Sequence, residues 1–430
     1  MTRGLRAGAN LRAQRAAQCF SQLKLSIIMF RKVITIILAF TAAGLRAETF
    51  TIEGAVARAI KSNPDLAAAR WSIEEARGRL IQSGRLPNPA VETELKPNVR
   101  GREFSFSAGF MQRIPVTRRL HLERAISEAQ LAQAEAEVLN AGRLISAQVR
   151  LTAVKLLALQ EQKALKEKQR TNSLNLAEEA ERNAKKAEGS SLEAAQFGLE
   201  AQQLSLDLLQ ADAERTALAG ELRPLLGLGA AGSVEITGEL SAPSAPAGAV
   251  SPERRADYRA AQAKESAART GIDLARAGKW DDASYGLTAE FARAEDAPSG
   301  LENDGFIGFK FSIPLPFWNK NEGKIHEANA AAAKAEQEKQ ALALRIRAEA
   351  AAAQQEMAAA ANIIAQTSGP LLKQALALEE KFVKAKAEGQ ATLTDVLRSR
   401  EKRFALEAAR LNALRDWHLA RARLLSAQGR

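Results

Sequence analysis

The chain has 430 residues, only 5% of them aromatic, and its composition, dominated by Ala, Leu and charged residues, favours long helices with thin interfaces over a bulky globular core. Eight of its basic residues lie within residues 1–47, which contain no acidic residue. Subtracting these eight charges from the net charge of +11 leaves +3 for residues 48–430. Charge concentrated in a cleavable segment is not typical of a nucleic-acid footprint, and we expect no nucleic-acid partner.

The N-terminus has the pattern of a secretion signal. Met29 and the three residues after it form a charged start, residues 33–40 are apolar, and small residues lead to Ala47. These are the charged, apolar and cleavage regions of a signal peptide. We therefore expect residues 1–47 to be an N-terminal extension and signal peptide, with translation starting at Met29. A basic organellar transit peptide is the alternative, because residues 1–28 are Arg-rich and lack acids.

Helical segments and short strands follow in turn. Residues 51–83 predict helix interrupted by the turn signal Asn63-Pro64-Asp65, and Leu86-Pro87-Asn88-Pro89 ends it. Alternation of apolar and polar residues with period two then predicts four strands, two in each half of the chain, at 90–96, 104–115, 285–291 and 306–314. The pattern Gly-Phe-x-x-x-Ile-Pro begins at 109 and again at 308, which indicates an internal repeat.

A long helical segment follows each pair of strands. Residues 117–188 contain no proline and one glycine, which predicts roughly 100 Å of helix at 1.5 Å per residue. A second long helix is predicted from about 323 to 388, weakly broken at Ser368-Gly369-Pro370. Each segment turns back at Ala-Glu-Gly, and shorter return helices run to about Leu222 and about Ser426.

These elements predict two structural repeats. The first covers residues 48–226 and the second 252–430, joined by a linker at 227–251 that is rich in Gly, Ala, Ser and Pro. The segment Val234–Thr237 in the linker is a further strand candidate. The expected fold class is mainly α, with long antiparallel helical hairpins and a small contribution from four strands in each protomer.

The strands are apolar on one side and charged or hydroxylated on the other. This fits a membrane barrel with lipid outside and water inside, although a half-buried sheet in a soluble domain fits any single strand equally well. Four strands cannot close in a membrane, where open edges are not tolerated, whereas three chains supply twelve. The residues expected to mark the strands and their junctions are Phe104, Phe106, Phe110, Pro115, Phe309, Phe311, Pro314, Pro316 and Trp318.

Three stretches resemble the TolC family of outer-membrane efflux proteins. They are Leu86–Pro89, Gln112-x-Ile114-Pro115 followed by Arg118-Arg119, and the run SIPLPFWNKNEGKI from Ser312 to Ile325. The third run is the most specific. Within the family the chain is most similar to the outer-membrane component of cobalt-zinc-cadmium, or heavy-metal, RND efflux systems. The resemblance covers about residues 50–427.

The resemblance implies a homotrimeric α/β-barrel channel, with twelve strands in the outer membrane and a helical tunnel in the periplasm. It implies contact with outer-membrane lipid, a periplasmic adaptor (a membrane fusion protein) and an inner-membrane RND pump. Such a conduit is not an enzyme and holds no cofactor. A TolC-type channel for drug export or type I secretion is the alternative. A periplasmic coiled-coil adaptor is a third reading, although adaptors usually have one hairpin and this chain has two.

The resemblance also implies a surface for the adaptor at the ends of the hairpins. Lys185, Lys186, Gly189 and Gly389 fall at the helix turns where the family contacts its adaptor. Glycine at such a turn is equally explained by the needs of a helix C-cap.

A gate is implied near the start of the last helix. Asp395 matches the first of two acidic residues, three apart, that ring the tunnel constriction in the family, and Arg398 departs from the second. Three copies of Asp395 would favour cations, and a ring of Arg398 would cancel part of that effect. Alternatively, Asp395 is simply an acid in the first turn of a helix, stabilised by the macrodipole.

No residue pattern predicts a metal site. The histidines are far apart in sequence, at His121, His326 and His418, and the one cysteine, Cys19, precedes the apolar run of the signal. We expect the histidines to be isolated surface residues. If metal ions pass through this protein, their recognition should lie in the pump or the adaptor.

Overall fold

The computed structural model describes residues 48–99, 101–186, 190–229, 233–244, 248, 250–296, 298 and 300–430. The predicted signal segment, residues 1–47, lies outside these residues. The described chain divides into two compact units. One comprises residues 48–58 and 152–239, and the other comprises residues 59–151 and 240–430.

Most of the described chain is helical, as predicted. Pro370 occupies the first turn of a new helix, so the predicted break in the second long helix falls at Gly369. The helices are α1 (Ile52–Ser62), α2 (Pro64–Gln82), α3 (Arg119–Lys185), α4 (Ser191–Leu225), α5 (Ala256–Ala277), α6 (Glu322–Ser368), α7 (Pro370–Ala387) and α8 (Leu393–Ala427), with a short 3-10 turn at Pro252–Arg254.

The strands form two sheets within the described residues. The strands are β1 (Glu48–Phe50), β2 (Ala90–Pro97), β3 (Phe104–Ile114), β4 (Val234–Ile236), β5 (Ala283–Asp296) and β6 (Gly300–Ser312). The four predicted long strands form one antiparallel sheet in the order β2-β3-β5-β6. The strand candidate in the linker is β4, which pairs in parallel with β1. β1 was not predicted, because three residues are too few to show an alternating pattern.

The first unit is built on the hairpin of α3 and α4. Lys163 lies 2.7 Å from Asp212, and Lys166 lies 3.0 Å from Asp207. The two helices run antiparallel, because the residue number on α4 falls as the number on α3 rises. Phe197 of α4 and Ile236 of β4 are among the largest fully buried side chains, and they mark the core of this unit.

The second unit contains an apolar seam between α6 and α8. Buried residues recur every three or four positions, from Ala350 to Ile364 on α6 and from Ala413 to Ala427 on α8, which is the spacing of knobs-into-holes packing. Many of these residues are alanines, and small side chains allow closely spaced helix axes. Trp417 is the largest fully buried side chain of the chain's described part, so the seam is thin except at this residue.

A cluster of charged side chains is enclosed in the same unit. The Arg255 side chain is only 4% exposed, and its guanidinium contacts Asp257 at 2.6 Å and Glu349 at 2.6 Å. Arg143 lies 3.8 Å from Asp257 and donates a hydrogen bond of 2.6 Å to the Ser426 hydroxyl. Burial raises the pKa of Asp257, but the hydrogen bonds and charges of Arg255 and Arg143 outweigh it and hold that pKa below its ordinary value.

We expect Arg255→Ala to destabilise the protein by about 3 kcal/mol, because it leaves the Asp257 carboxylate without its main partner. Thermal unfolding of the purified protein, followed by circular dichroism, measures this loss. The difference in stability between the variant and wild type should narrow below about pH 4. The pKa of Asp257 is lowered in the folded state, so its carboxylate stabilises the fold only while it is ionised.

The matched control is Arg254→Ala, at the exposed neighbouring arginine, which should change stability by less than about 0.5 kcal/mol. Equal effects of the two substitutions would contradict a specific role for the Arg255 cluster.

Candidate functional site

One face of the four-stranded sheet is apolar and uncovered. The strand register places Phe110 beside Val91 and Leu287, and Leu287 beside Phe309, so one row of apolar side chains crosses all four strands, with shorter rows beside it. Phe309 is 88% exposed. The exposed large apolar and aromatic members of this face are Val91, Leu95, Phe104, Phe106, Phe110, Ile114, Tyr285, Leu287, Phe291, Leu301, Ile307, Phe309 and Phe311, and at one end the face also carries Arg293, Glu295 and Asn303. An apolar patch of this extent marks a surface that another molecule or a membrane covers.

The opposite face of the sheet is mainly polar, as the alternation predicts. The register brings Glu94, Ser107 and Glu290 into one row and Lys96 and Ser105 into the next. Met111 and Phe306 are the larger apolar exceptions on this side. The sheet therefore separates an apolar surface from one that water can solvate.

Proline-containing junctions connect the strands to the long helices. Pro115 is half-buried between β3 and α3, and Pro314 and Pro316 follow β6. Proline suits these positions because it donates no backbone hydrogen bond. The second junction carries Trp318, which is 95% exposed, and ends at Asn321, whose left-handed backbone is held by a 2.7 Å hydrogen bond from its side chain to the Ala275 carbonyl.

A cavity of about 740 Å³ lies beside these junctions within the second unit. Its lining has basic residues (Arg113, Arg119 and Lys324) and acidic residues (Glu123, Asp281 and Asp282) in equal number. Arg119 is already 2.8 Å from Asp282. The balanced charges favour neither an anion nor a cation, and we assign the cavity no ligand.

The hairpin turns place some of the predicted adaptor-contact residues on the surface. Lys185 is the last residue of α3 and pairs with Glu181 at 3.1 Å, and Lys186 follows it in the turn. Gly189 lies outside the described residues. Gly389 follows α7 with φ of +77° and donates its backbone N–H to the Lys386 carbonyl at 3.0 Å, which is the geometry of a glycine C-cap.

The structure places Asp395 in a capping box. Its Oδ2 accepts hydrogen bonds from the Thr392 backbone N–H at 3.0 Å and from the Thr392 hydroxyl at 2.7 Å. In return, the Asp395 backbone N–H donates to the Thr392 hydroxyl at 3.2 Å. These hydrogen bonds, with a smaller effect of the Arg398 charge, hold the pKa of Asp395 below its ordinary value. Asp395 therefore fulfils a structural role at the start of α8, whatever else it does.

Arg398 lies one turn further along α8 and is exposed. Among the described residues, no carboxylate lies within ion-pair distance of its guanidinium. Its neighbours Arg400 and Arg403 instead contact Glu379 of α7, at 3.1 Å and 2.7 Å. The two predicted gate residues thus lie one helical turn apart and differ in their partners.

A leucine stripe on α4 is a candidate contact surface that the sequence analysis missed. Leu192, Leu199 and Leu206 are exposed at intervals of seven residues, and Leu209 continues the stripe. Phe197 and Leu222 of the same helix are buried, so this stripe is a second apolar face. A spacing of seven is the signature of a coiled-coil seam, and it could have been read from the sequence.

The described residues contain no group of three or more His, Cys, Asp or Glu side chains arranged to hold a metal ion. The expectation that the histidines lie on the surface is wrong for His418, which is buried, with Nε2 2.9 Å from the Ser241 carbonyl. None of the helices in the described ranges is both long and apolar enough to cross a membrane.

Several solved structures share this fold. CusC, which forms a transmembrane channel, aligns with a TM-score of 0.73 at 17% identity, over 88% of this chain and 92% of CusC. The outer-membrane channel OprN aligns with a TM-score of 0.70 at 16% identity, over 88% of this chain and 89% of OprN. VceC, an outer membrane protein of Vibrio cholerae, aligns with a TM-score of 0.70 at 18% identity, over 88% of this chain and 96% of VceC.

The chain therefore has the mainly helical TolC-like fold with a few antiparallel strands, and the predicted fold class is confirmed. No protein-family model matches the sequence, and comparison with curated protein sequences gives no significant match.

We expect Gly389→Ala to destabilise the protein by about 1 kcal/mol, because a side chain is strained at a positive φ. Chemical denaturation of the purified protein measures the change. Gly220→Ala is the control, because Gly220 lies inside α4 with open space around it. That substitution should stabilise the protein by about 0.5–1 kcal/mol. No loss of stability for Gly389→Ala, or an equal change for both substitutions, would contradict the proposed cap.

Proposed function

We propose that this chain is one protomer of a homotrimeric outer-membrane channel, the exit duct of a tripartite RND-type efflux system that exports heavy-metal cations across the periplasm and outer membrane. The observation that carries this proposal is the sheet. It exposes a mainly apolar face on one side and a mainly polar face on the other, which suits a wall between lipid and water.

The edges of the sheet favour assembly of several copies. β2 and β6 are the edge strands of the four-stranded sheet, and β6 presents an edge of 13 residues. Unpaired backbone groups are not tolerated in lipid. Pairing of β6 of one copy with β2 of the next would satisfy both edges, and three copies would close a cylinder of twelve strands.

The leucine stripe on α4 supports the same assembly. Leu192 is 76% exposed, and the stripe has the spacing that buries leucine against a neighbouring helix. A second copy of this chain is the occupant that we propose. The helical hairpins of three copies would then form the wall of a periplasmic tunnel.

The proposed partners are a periplasmic adaptor, an inner-membrane RND pump and outer-membrane lipid. The adaptor would contact the hairpin turns at Lys185, Lys186, Gly189 and Gly389, as the family resemblance implies. Lys185 and Lys186 present positive charge there. The duct itself needs no cofactor and catalyses no reaction, since it only conducts.

The metal cargo is supported by the run Ser312–Ile325, which resembles the outer-membrane component of heavy-metal systems. A TolC-type channel for drug export or type I secretion shares the fold and differs only in cargo and partners. A periplasmic adaptor is disfavoured, since the chain has two long hairpins and strands collected in one amphipathic sheet.

Phe309→Arg should prevent assembly in the outer membrane. An arginine on a lipid-facing strand costs about 2–4 kcal/mol near the bilayer centre, which corresponds to a loss of at least about tenfold in assembled protein. The measurement is the amount of trimer in outer-membrane fractions, from its mass in detergent.

Ser312→Arg is the matched control, because it places the same side chain on the opposite face of the same strand, and its trimer yield should equal that of wild type. Normal assembly of the Phe309 variant would show that this face does not contact lipid.

A deletion strain should lose resistance to one or more of cobalt, zinc, cadmium, copper and silver salts, and the gene should restore it. Minimum inhibitory concentrations across these salts, with dyes, detergents and antibiotics in parallel, measure the cargo range. Sensitivity to the organic compounds alone would reject metal export and move the chain to the general-export alternative. The deletion should be made in a strain without other outer-membrane channels of this kind, so that no substitute masks the loss.

A further inference from the structure

The charge around the turn between α7 and α8 is unevenly distributed. Residues 381–403 contain seven basic and three acidic residues, a net charge of +4, which Glu379 and Glu380 directly before them lower to +2. Lys381 and Lys384 are exposed on α7, and Arg398 and Lys402 are exposed on α8. An ion that approaches the end of this hairpin therefore meets mainly positive side chains.

Asp395 is an acidic residue of this turn that could offset the positive charge, but hydrogen bonds fix its side chain. The Asp395 carboxylate is bonded to the Thr392 backbone N–H and hydroxyl, so it lies against the first turn of α8. The positive end of the helix macrodipole lies at the same place and offsets part of its charge. A short side chain fixed in this way keeps its charge close to the helix and cannot extend toward a passing ion.

Arg398 is in the opposite situation. Its side chain is long and exposed, and nothing in the described part of the chain pairs with its guanidinium. The nearby arginines are not equivalent, because Arg400 and Arg403 are both engaged by Glu379. Of the two predicted gate residues, Arg398 is the one free to extend into solvent.

The exposed stripe of α8 that begins at Arg398 is suited to contact with water. At intervals of three, four or seven residues it continues through Lys402, Ala405, Asn412, Asp416 and Arg423, all exposed, with the less exposed Ala409 and Leu419 between them. The exposed positions of this stripe are mostly polar, whereas the exposed stripe of α4 consists of leucines. The α4 stripe therefore suits helix packing, and the α8 stripe suits a water-filled space.

We infer that Arg398 determines the ion preference of the channel and that the channel prefers anions to cations. This inference rests on the proposed function and adds to it that the three copies of this turn surround a narrow part of the duct. Rings of arginine or lysine select anions, and rings of acidic residues select cations. Metal cations would then be driven through by the pump that supplies them, without attraction by the duct.

The test is ion selectivity of the purified full-length protein in planar bilayers. The reversal potential under a KCl gradient gives the ratio of chloride to potassium permeability. Wild type should favour chloride. Arg398→Gln should remove most of the preference, and Arg398→Asp should reverse it, with a total change of about tenfold in the permeability ratio, because charged clefts carry potentials of several kT.

Two further variants separate Arg398 from its surroundings. Asp395→Asn should change the permeability ratio much less than Arg398→Gln, although each alters the charge by one unit. Arg410→Asp makes the same substitution at an exposed arginine three turns along α8 and should leave the ratio close to that of wild type.

Potassium preference in wild type would overturn the inference, and so would a ratio that is insensitive to Arg398 or equally sensitive to Arg410. In each of these cases the protein still conducts, so the proposed channel would stand. Absence of conductance from wild type and all variants would instead overturn the proposed function, and the inference with it.

Discussion

Burial of apolar surface cannot be completed within one copy of this chain. The register of β2, β3, β5 and β6 collects large side chains on one face of the sheet, and no described residue covers them. The same sheet has two edges with unpaired backbone groups. An uncovered apolar face and open strand edges are each unfavourable in water. The environment and the assembly that we propose follow from the need to satisfy both.

The helices pack against one another mainly through small side chains. The seam between α6 and α8 consists largely of alanines, so each pair of residues buries little area and stability must accumulate over many turns. The Arg255 cluster adds a polar contact that joins three helices, since Arg143, Asp257 and Glu349 lie on α3, α5 and α6. Such a cluster costs desolvation, and it is most useful in specifying which surfaces meet.

Asp395 illustrates why a residue type at a matching position does not define a role. The sequence resemblance assigns this acid to a ring that attracts cations. In the structure its carboxylate closes a capping box with Thr392, and this role alone explains an acid there. The residue with more freedom to act on a passing ion is Arg398, at the position where the chain departs from the family pattern. The proposed cargo therefore has to be decided by partners and by transport assays, and not by the charge of this one turn.

The sequence by itself determined the helices, the four long strands and the two faces of each strand. These are local properties, because the absence of proline, the helix caps and the period-two alternation are each defined by residues close together in the sequence. Tertiary structure alone decided that β3 pairs with β5, where the paired residues Phe106 and Phe291 are 185 positions apart along the chain. It also decided that β1 pairs with β4 and that Arg255 is buried beside carboxylates. No local pattern encodes these pairings, because they depend on how distant segments pack against one another. The exposed faces were likewise predictable as stripes, but whether a stripe is covered depends on the packing of the whole chain.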